Sequence, residues 1–144
     1  MAILLTDTDV YSYLHSANQK KATPYKAHVQ GNIIVLAFIS VGELYAGYRK
    51  RIAKGDWTEA HIQKLEAQLK GVAIVPYDVE ICRTYGALKA VLKTPEGTDR
   101  NIGPNDLWIA ACAVRHSLTL VTNNRKDFSD IPGLNIICEA PPLL

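Results

Sequence analysis

Five short apolar runs punctuate the chain, and none alternates apolar with polar side chains. They are Ala2–Leu5, Ile33–Phe38, Val72–Pro76, Leu118–Thr122 and Leu134–Cys138, built largely from Ile, Val and Leu. A sheet with one wet face shows alternation, whereas runs apolar throughout suit parallel strands covered on both faces. Helical patterns fill the intervals: Asp9–Ala17, Val41–Ala53, Ala60–Lys70, Val79–Leu92 and Asp106–His116. Within Val41–Ala53, the stripe Val41, Leu44, Tyr45, Tyr48 and Ile52 keeps helical spacing. Asp56, followed three residues on by Glu59, predicts a cap before Ala60–Lys70, and Asp78 predicts one before Val79–Leu92. Thr94–Gly103, with Pro95, Gly97 and Gly103, reads as a loop. Strand–helix alternation of this kind predicts an α/β fold: a parallel sheet of about five strands flanked by helices, with right-handed crossovers. Ligands of such sheets bind beyond the C-terminal ends of the strands, so the residues just after each run carry the functional reading.

The 144 residues show no internal repeat, low-complexity tract or linker, and a single domain over 1–144 is expected. With 48% apolar and 21% charged residues, disordered and fibrous classes are excluded. No apolar run approaches the roughly 20 residues of a membrane span, so no membrane partner is expected. Ala2–Leu5 is too short for a signal-peptide core and ends in Thr6 and Asp7. Cys82, Cys112 and Cys138 are odd in number, widely spaced and in apolar contexts; they read as reduced core thiols of a cytoplasmic protein. The four His show no zinc spacing. The net charge of +2 conceals an asymmetry. Residues 1–54 hold seven basic side chains (Lys20, Lys21, Lys26, Arg49, Lys50, Arg51, Lys54) and three acids (Asp7, Asp9, Glu43). A basic region of this kind attracts a polyanion such as nucleic acid, although a solvated lysine-rich surface has the same composition.

Each acid near a run has an ordinary structural explanation. Asp7 and Asp9 follow the first run, where Asp7 can cap a helix and Asp9 can favour its first turn. Capping explains one carboxylate better than two, because like charges this close are costly without a positive group between them. Glu43 sits at the third helical position after Ser40, as in a capping box, and lies opposite the apolar stripe of its helix. In Gly103-Pro104-Asn105-Asp106, Asn105 is a candidate N-cap and Asp106 offsets the helix dipole. Thr122-Asn123-Asn124 can form an Asx turn, with Asp127 capping a short helical turn. Taken together, these explanations weaken: separate strand-to-helix junctions all place carboxylates or amides at one predicted sheet edge. An oxygen-rich cluster of that kind calls for a hard cation, Mg²⁺ or Mn²⁺, and such a site supports in-line phosphoryl displacement by activated water.

The constellation resembles the PIN domain, and most closely the VapC-type toxin nucleases of bacterial toxin–antitoxin pairs. The resemblance rests on Leu4-Leu5-Thr6-Asp7-Thr8-Asp9-Val10, Ser40 through Glu43-Leu44 with Gly47, Asn105 through Ala111, Leu120 through Asn124 with Asp127-Phe128, and Ile131-Pro132-Gly133-Leu134. Their order and spacing cover nearly the whole chain. The resemblance implies a Rossmann-like parallel sheet and a Mg²⁺- or Mn²⁺-dependent RNA endonuclease. By position, Asp7, Glu43 and Asp106 are the implied acidic metal ligands. Asp9 stands where the family often has Asn, and Asn124 where many members carry a fourth acid. Asn124, Asp9 and Asp127 stay open as the groups that orient water or a second ion. Arg49, Lys50, Arg51 and Lys54, at the end of the helix bearing Glu43, are candidate contacts to RNA phosphates. The resemblance also implies a cognate antitoxin that blocks the site, and a homodimer.

Two other readings compete. Asp7-Thr8-Asp9-Val10 after a strand also resembles the haloacid-dehalogenase phosphatase motif, with Asp7 as nucleophile and Asp9 as acid/base. That reading needs a later acidic pair after another strand, where this chain has Thr122-Asn123-Asn124, and it leaves Glu43 and Asp106 without roles. A non-catalytic PIN-like RNA-binding module would be favoured by loss of the acids, which are present. A Rossmann nucleotide binder is disfavoured because no Gly-x-Gly-x-x-Gly follows the first run.

Overall fold

The computed structural model describes residues 1–17 and 19–141. The domain expected over 1–144 thus includes residue 18 and residues 142–144, which lie outside the described residues. Five strands form one sheet: β1 (Ile3–Thr6), β2 (Ile33–Ala37), β3 (Ala73–Val75), β4 (Thr119–Val121) and β5 (Ile136–Ile137). Their order is β3-β2-β1-β4-β5, and every neighbouring pair is parallel. The described helices are α1 (Thr8–Leu14), α2 (Gln19–Val29), α3 (Phe38–Ala53), α4 (Glu59–Leu69), α5 (Val79–Val91), α6 (Pro104–Arg115) and α7 (Arg125–Phe128).

The register explains why the runs do not alternate. Leu5 pairs with Val35 and Leu120, while Thr6 pairs with Leu36 and Val121. Side chains point to opposite faces at successive positions. Leu5, Val35, Ala37 and Leu120 therefore share one face, buried with Ile81 and Leu88 of α5, Ile109 of α6 and Phe128 of α7. Leu4, Leu36 and Val121 share the other, packed with Val10 of α1 and Tyr25 of α2, and with Leu44 of α3 and Leu65 of α4. Each fully buried aliphatic side chain contributes about 1.5–3 kcal/mol, and both faces collect that gain. Within α6, Ala110, Ala111, Cys112 and Ala113 are all buried. These small side chains let α6 lie close to the sheet and to α5, which fixes where its N-terminal turn, with Asp106, meets the sheet edge.

Several local expectations change. Helix α2 was not expected: Pro24 stands inside it, and only Ala22 and Tyr25 are buried. Helix α3 begins at Phe38, so Ser40 is inside the helix and no side chain caps its start; the Ser40–Glu43 capping box does not form. Thr58, rather than Asp56, caps α4, with the His61 ring returning the bond to the Thr58 N–H. Gly103, rather than Asn105, precedes α6, with Pro104 in its first turn. Asp78 caps α5 as expected, accepting from the Ile81 N–H at 2.8 Å. Of the three free cysteines only Cys112 is fully buried, and burial pushes its thiol up to about 11. Among the described residues no helix is long and apolar enough to cross a membrane.

Candidate active site at the C-terminal sheet edge

Strand β1 lies between β2 and β4, so the chain leaves the middle of the sheet in one direction after β1 and returns on the other side at β4. Such a reversal opens a crevice beyond the C-terminal ends of the two strands. Asp7 follows β1 and Thr122 follows β4 at that crevice, and the Asp7 N–H donates to the Val121 carbonyl at 3.0 Å.

Asp7 is the buried centre of the site, 4% exposed. Its Oδ1 accepts from the Val10 N–H at 2.8 Å, which caps α1. Its Oδ2 accepts from the Thr122 hydroxyl at 2.5 Å. The cap and the site thus use different oxygens of one carboxylate. Glu43 is reached from α1: the Thr8 hydroxyl donates to Glu43 Oε1 at 2.6 Å and lies 3.0 Å from the buried Ser40 hydroxyl. Asn124 joins the remaining pair. Its Nδ2 lies 3.1 Å from Asp127 Oδ2 and 3.4 Å from Asp106 Oδ2, while its Oδ1 accepts from the Asp127 N–H at 3.2 Å. Asn124, not Asp127, caps the short helix α7. Asp9 is exposed in the first turn of α1 and reaches the cluster through charge.

The acids at this sheet edge are electrostatically coupled to one another. Burial, reinforced by Asp9 and Glu43, pushes Asp7 up to about 6, against the lowering effect of the Thr122 and Val10 hydrogen bonds. Burial also pushes Asp106 up to about 6, with the charges of Asp127, Asp7, Glu43 and Asp9 adding to it. Acids perturbed this way by burial and by one another mark functional clefts. The four ion pairs among the described residues join His28 to Glu139, Arg49 to Glu59, Arg83 to Glu80 and Lys93 to Asp99, so none compensates the cluster. An all-oxygen, anionic and uncompensated donor set fits a hard divalent cation. Among the described residues no group of three or more His, Cys, Asp or Glu side chains is placed to hold a metal ion as it stands, so Asp7, Glu43 and Asp106 would have to draw together around a cation.

The four candidate phosphate contacts separate. Arg49 pairs with Glu59. Arg51 packs over the Trp57 ring and lines a cavity that also touches Thr8 and Glu43. Lys50 and Lys54 are exposed and do not line that cavity.

Three hydroxyl residues, which the sequence offered only as a cap, a turn or part of the family resemblance, position the acids of the site. Thr122 and Ser40 are fully buried, and with Thr8 they orient Asp7 and Glu43. Thr122 also accepts from the Asn124 N–H at 3.0 Å. The available signal was a hydroxyl at the end of an apolar run or within three residues after it. A fourth residue, Tyr25 of α2, had no such signal. Its hydroxyl lies 2.5 Å from Asn123 Oδ1 and 3.1 Å from the Thr122 carbonyl, and accepts from the Glu139 N–H at 3.0 Å.

Comparison with known proteins places this geometry in a family. The PIN domain model matches residues 4–134. Ribonuclease VapC2 of Rickettsia felis is 32% identical over 136 residues, spanning 92% of this chain and 94% of the relative. The tRNA(fMet)-specific endonuclease VapC of Salmonella typhimurium is 31% identical over 101 residues, spanning 70% of this chain and 71% of the relative. The crystal structure of VapBC2 from Rickettsia felis, bound to a promoter DNA fragment, superposes with a TM-score of 0.73 at 29% identity, covering 94% of this chain and 98% of the matched one. A toxin–antitoxin complex from Klebsiella pneumoniae superposes with a TM-score of 0.66 at 25% identity, covering 93% of this chain and 95% of the matched one. The chain therefore belongs to the PIN-domain family and, within it, to the VapC group.

Proposed function

We propose that this protein is an endoribonuclease, the toxin of a toxin–antitoxin pair, which hydrolyses RNA phosphodiester bonds at the Asp7–Glu43–Asp106 cluster with Mg²⁺ or Mn²⁺. The observation that carries the proposal is the convergence at one crevice of uncompensated acids from β1, α3 and α6 with Asn124 from the end of β4. The relatives named ribonucleases and the solved toxin–antitoxin complexes support it.

Asp7, Glu43 and Asp106 would hold the cation, with Asp9 at the rim as a further ligand. The cation supplies Lewis-acid chemistry: it lowers the pKa of water and stabilises charge developing on the phosphate. The chain's own work is positioning. Thr122 fixes one oxygen of Asp7 while the start of α1 fixes the other. Thr8 holds Glu43 toward the crevice. Asn124 bridges Asp106 and Asp127 and presents an amide that can orient a water or a phosphate oxygen. Hydrolysis by water leaves a 5′-phosphate and a 3′-hydroxyl. Arg51 is the candidate phosphate contact that shares a cavity with Glu43, Lys50 and Lys54 can act farther along the strand, and Arg49 must first leave Glu59. A cognate antitoxin that covers the crevice, and a homodimer, complete the proposal. The phosphatase alternative assigns nothing to Glu43 or Asp106, which lie in the same cluster as Asp7.

The test is incubation of the purified protein with single-stranded RNA in Mg²⁺ and in EDTA, with the product ends mapped. Cleavage in Mg²⁺ alone, leaving 5′-phosphates, is expected. Cleavage insensitive to EDTA, or products with 2′,3′-cyclic phosphates, would refute the water mechanism.

A further inference from the structure

The cavity beside the carboxylates extends well past them. It encloses about 440 Å³ between α1, α3 and α4. That is within the range of about 300–1,000 Å³ typical of small-ligand sites. Thr8 and Glu43 form one end, so the cavity opens onto the acidic cluster. The other end is basic and aromatic, with Arg51, Trp57, His61 and Lys64.

Trp57 serves there as a brace. The Arg51 guanidinium sits 4.6 Å from the indole centre, His61 stacks at 4.7 Å and 4°, and Tyr48 meets the indole edge-on at 4.7 Å. A guanidinium held on an aromatic ring loses less freedom when it binds an anion. The two imidazoles lining the cavity have opposite hydrogen-bonding character. His61 Nδ1 accepts from the Thr58 N–H at 3.1 Å, so the neutral ring carries its proton on Nε2 and offers a donor. His15 Nδ1 lies 2.9 Å from the Tyr11 carbonyl. A carbonyl only accepts, so the proton is on Nδ1, and Nε2 of the neutral ring is an acceptor. The lining therefore combines two cations with one ring donor and one ring acceptor. Phosphate needs the cations, and the edge of an unpaired base needs both a donor and an acceptor.

We propose that this cavity is a nucleotide subsite, in which Arg51 and Lys64 hold a phosphate of the RNA substrate and His15 and His61 meet the edge of the unpaired base next to the scissile bond. The proposal rests on the ribonuclease reading for its substrate and on the cavity's continuity with Glu43 for its place on the strand. It makes this cavity, rather than the carboxylates, the source of base preference.

The test is NMR of the His Cε1–H resonances, assigned with His15→Gln and His61→Gln, as 5′-AMP, CMP, GMP and UMP are added in turn. At least one nucleotide is expected to shift His15 and His61 while leaving His28 and His116 unmoved. Arg51→Ala, checked for folding by its melting temperature, is expected to weaken that binding about tenfold, the loss of one charge-assisted contact. The same variant should lower kcat/KM on single-stranded RNA through KM. No shift with any nucleotide, or equal shifts at all four histidines, overturns the proposal. Weakened binding of an antitoxin by Arg51→Ala, with no nucleotide shift, also overturns it and assigns the cavity to a protein partner. Nucleotide binding without RNA cleavage upholds the subsite and removes the nuclease reading; RNA cleavage without nucleotide shifts does the reverse.

Discussion

Replacing Asp7 with Asn should make the metal-free protein more stable at neutral pH. Asp7 is buried, and its pKa rises from 3.8 to about 6, chiefly through that burial. A group whose folded pKa is raised contributes stability that is present below the unfolded value and lost as pH rises through the folded value. At 1.36 kcal/mol per unit, the ionised carboxylate at pH 7 costs about 3 kcal/mol relative to its neutral form. Asn keeps the neutral state and the cap, because Asn and Asp are comparable N-caps. It gives up the bond from Thr122, whose hydroxyl proton then lacks its acceptor, at about 1 kcal/mol. The net gain is about 2 kcal/mol, or roughly 4–8 °C in melting temperature for a domain of this size. The assay is thermal unfolding of wild type and Asp7→Asn in EDTA between pH 4 and pH 8. The gain should be full at pH 7–8 and close toward pH 4, as wild type becomes protonated. A variant less stable than wild type at pH 7 would refute the claim that Asp7 is held against its own desolvation.

Other perturbations separate the supporting residues. Thr122→Val removes the donor to Asp7 and the acceptor for the Asn124 N–H, so it should cost about 1–3 kcal/mol in urea unfolding and reduce RNA cleavage as well. Tyr25→Phe removes the hydroxyl that joins Asn123, Thr122 and Glu139; a loss of about 1–2 kcal/mol is expected, with faster amide exchange at Glu139. Gly133→Ala places a side chain at φ 78°, with its Cβ 3.4 Å from Val114, and should cost about 1–2 kcal/mol by the same unfolding assay.

What could be read in advance follows from how local each signal is. The strands were legible because burial on both faces leaves Ile33–Ala37 wholly apolar and Thr119–Val121 apolar after its first residue. Helix α2 was not, because Pro24 and a polar surface mask its two buried anchors, Ala22 and Tyr25. Helix starts shifted at Ser40 and Asn105 because Ser and Asn favour caps whenever a turn follows, and tertiary packing selects among the candidates. The acids were legible as strand-end residues. Their partners were not, since Thr8–Glu43 and Asp7–Thr122 join residues 35 and 115 positions apart. Arg49 shows the limit for charge: its basic neighbourhood suggested phosphate contact, while the fold pairs it with Glu59 on another helix.

The central claim is that the acids at the sheet edge act as one cation-dependent catalytic unit. Its most direct test is RNA cleavage by Asp106→Asn in Mg²⁺, beside wild type in Mg²⁺ and in EDTA, with folding verified by melting temperature. Asp106 is also pushed up to about 6, so the variant should stay folded. The expected result is a folded variant whose cleavage falls to that of EDTA-treated wild type. A folded variant that cleaves as fast as wild type would contradict the claim.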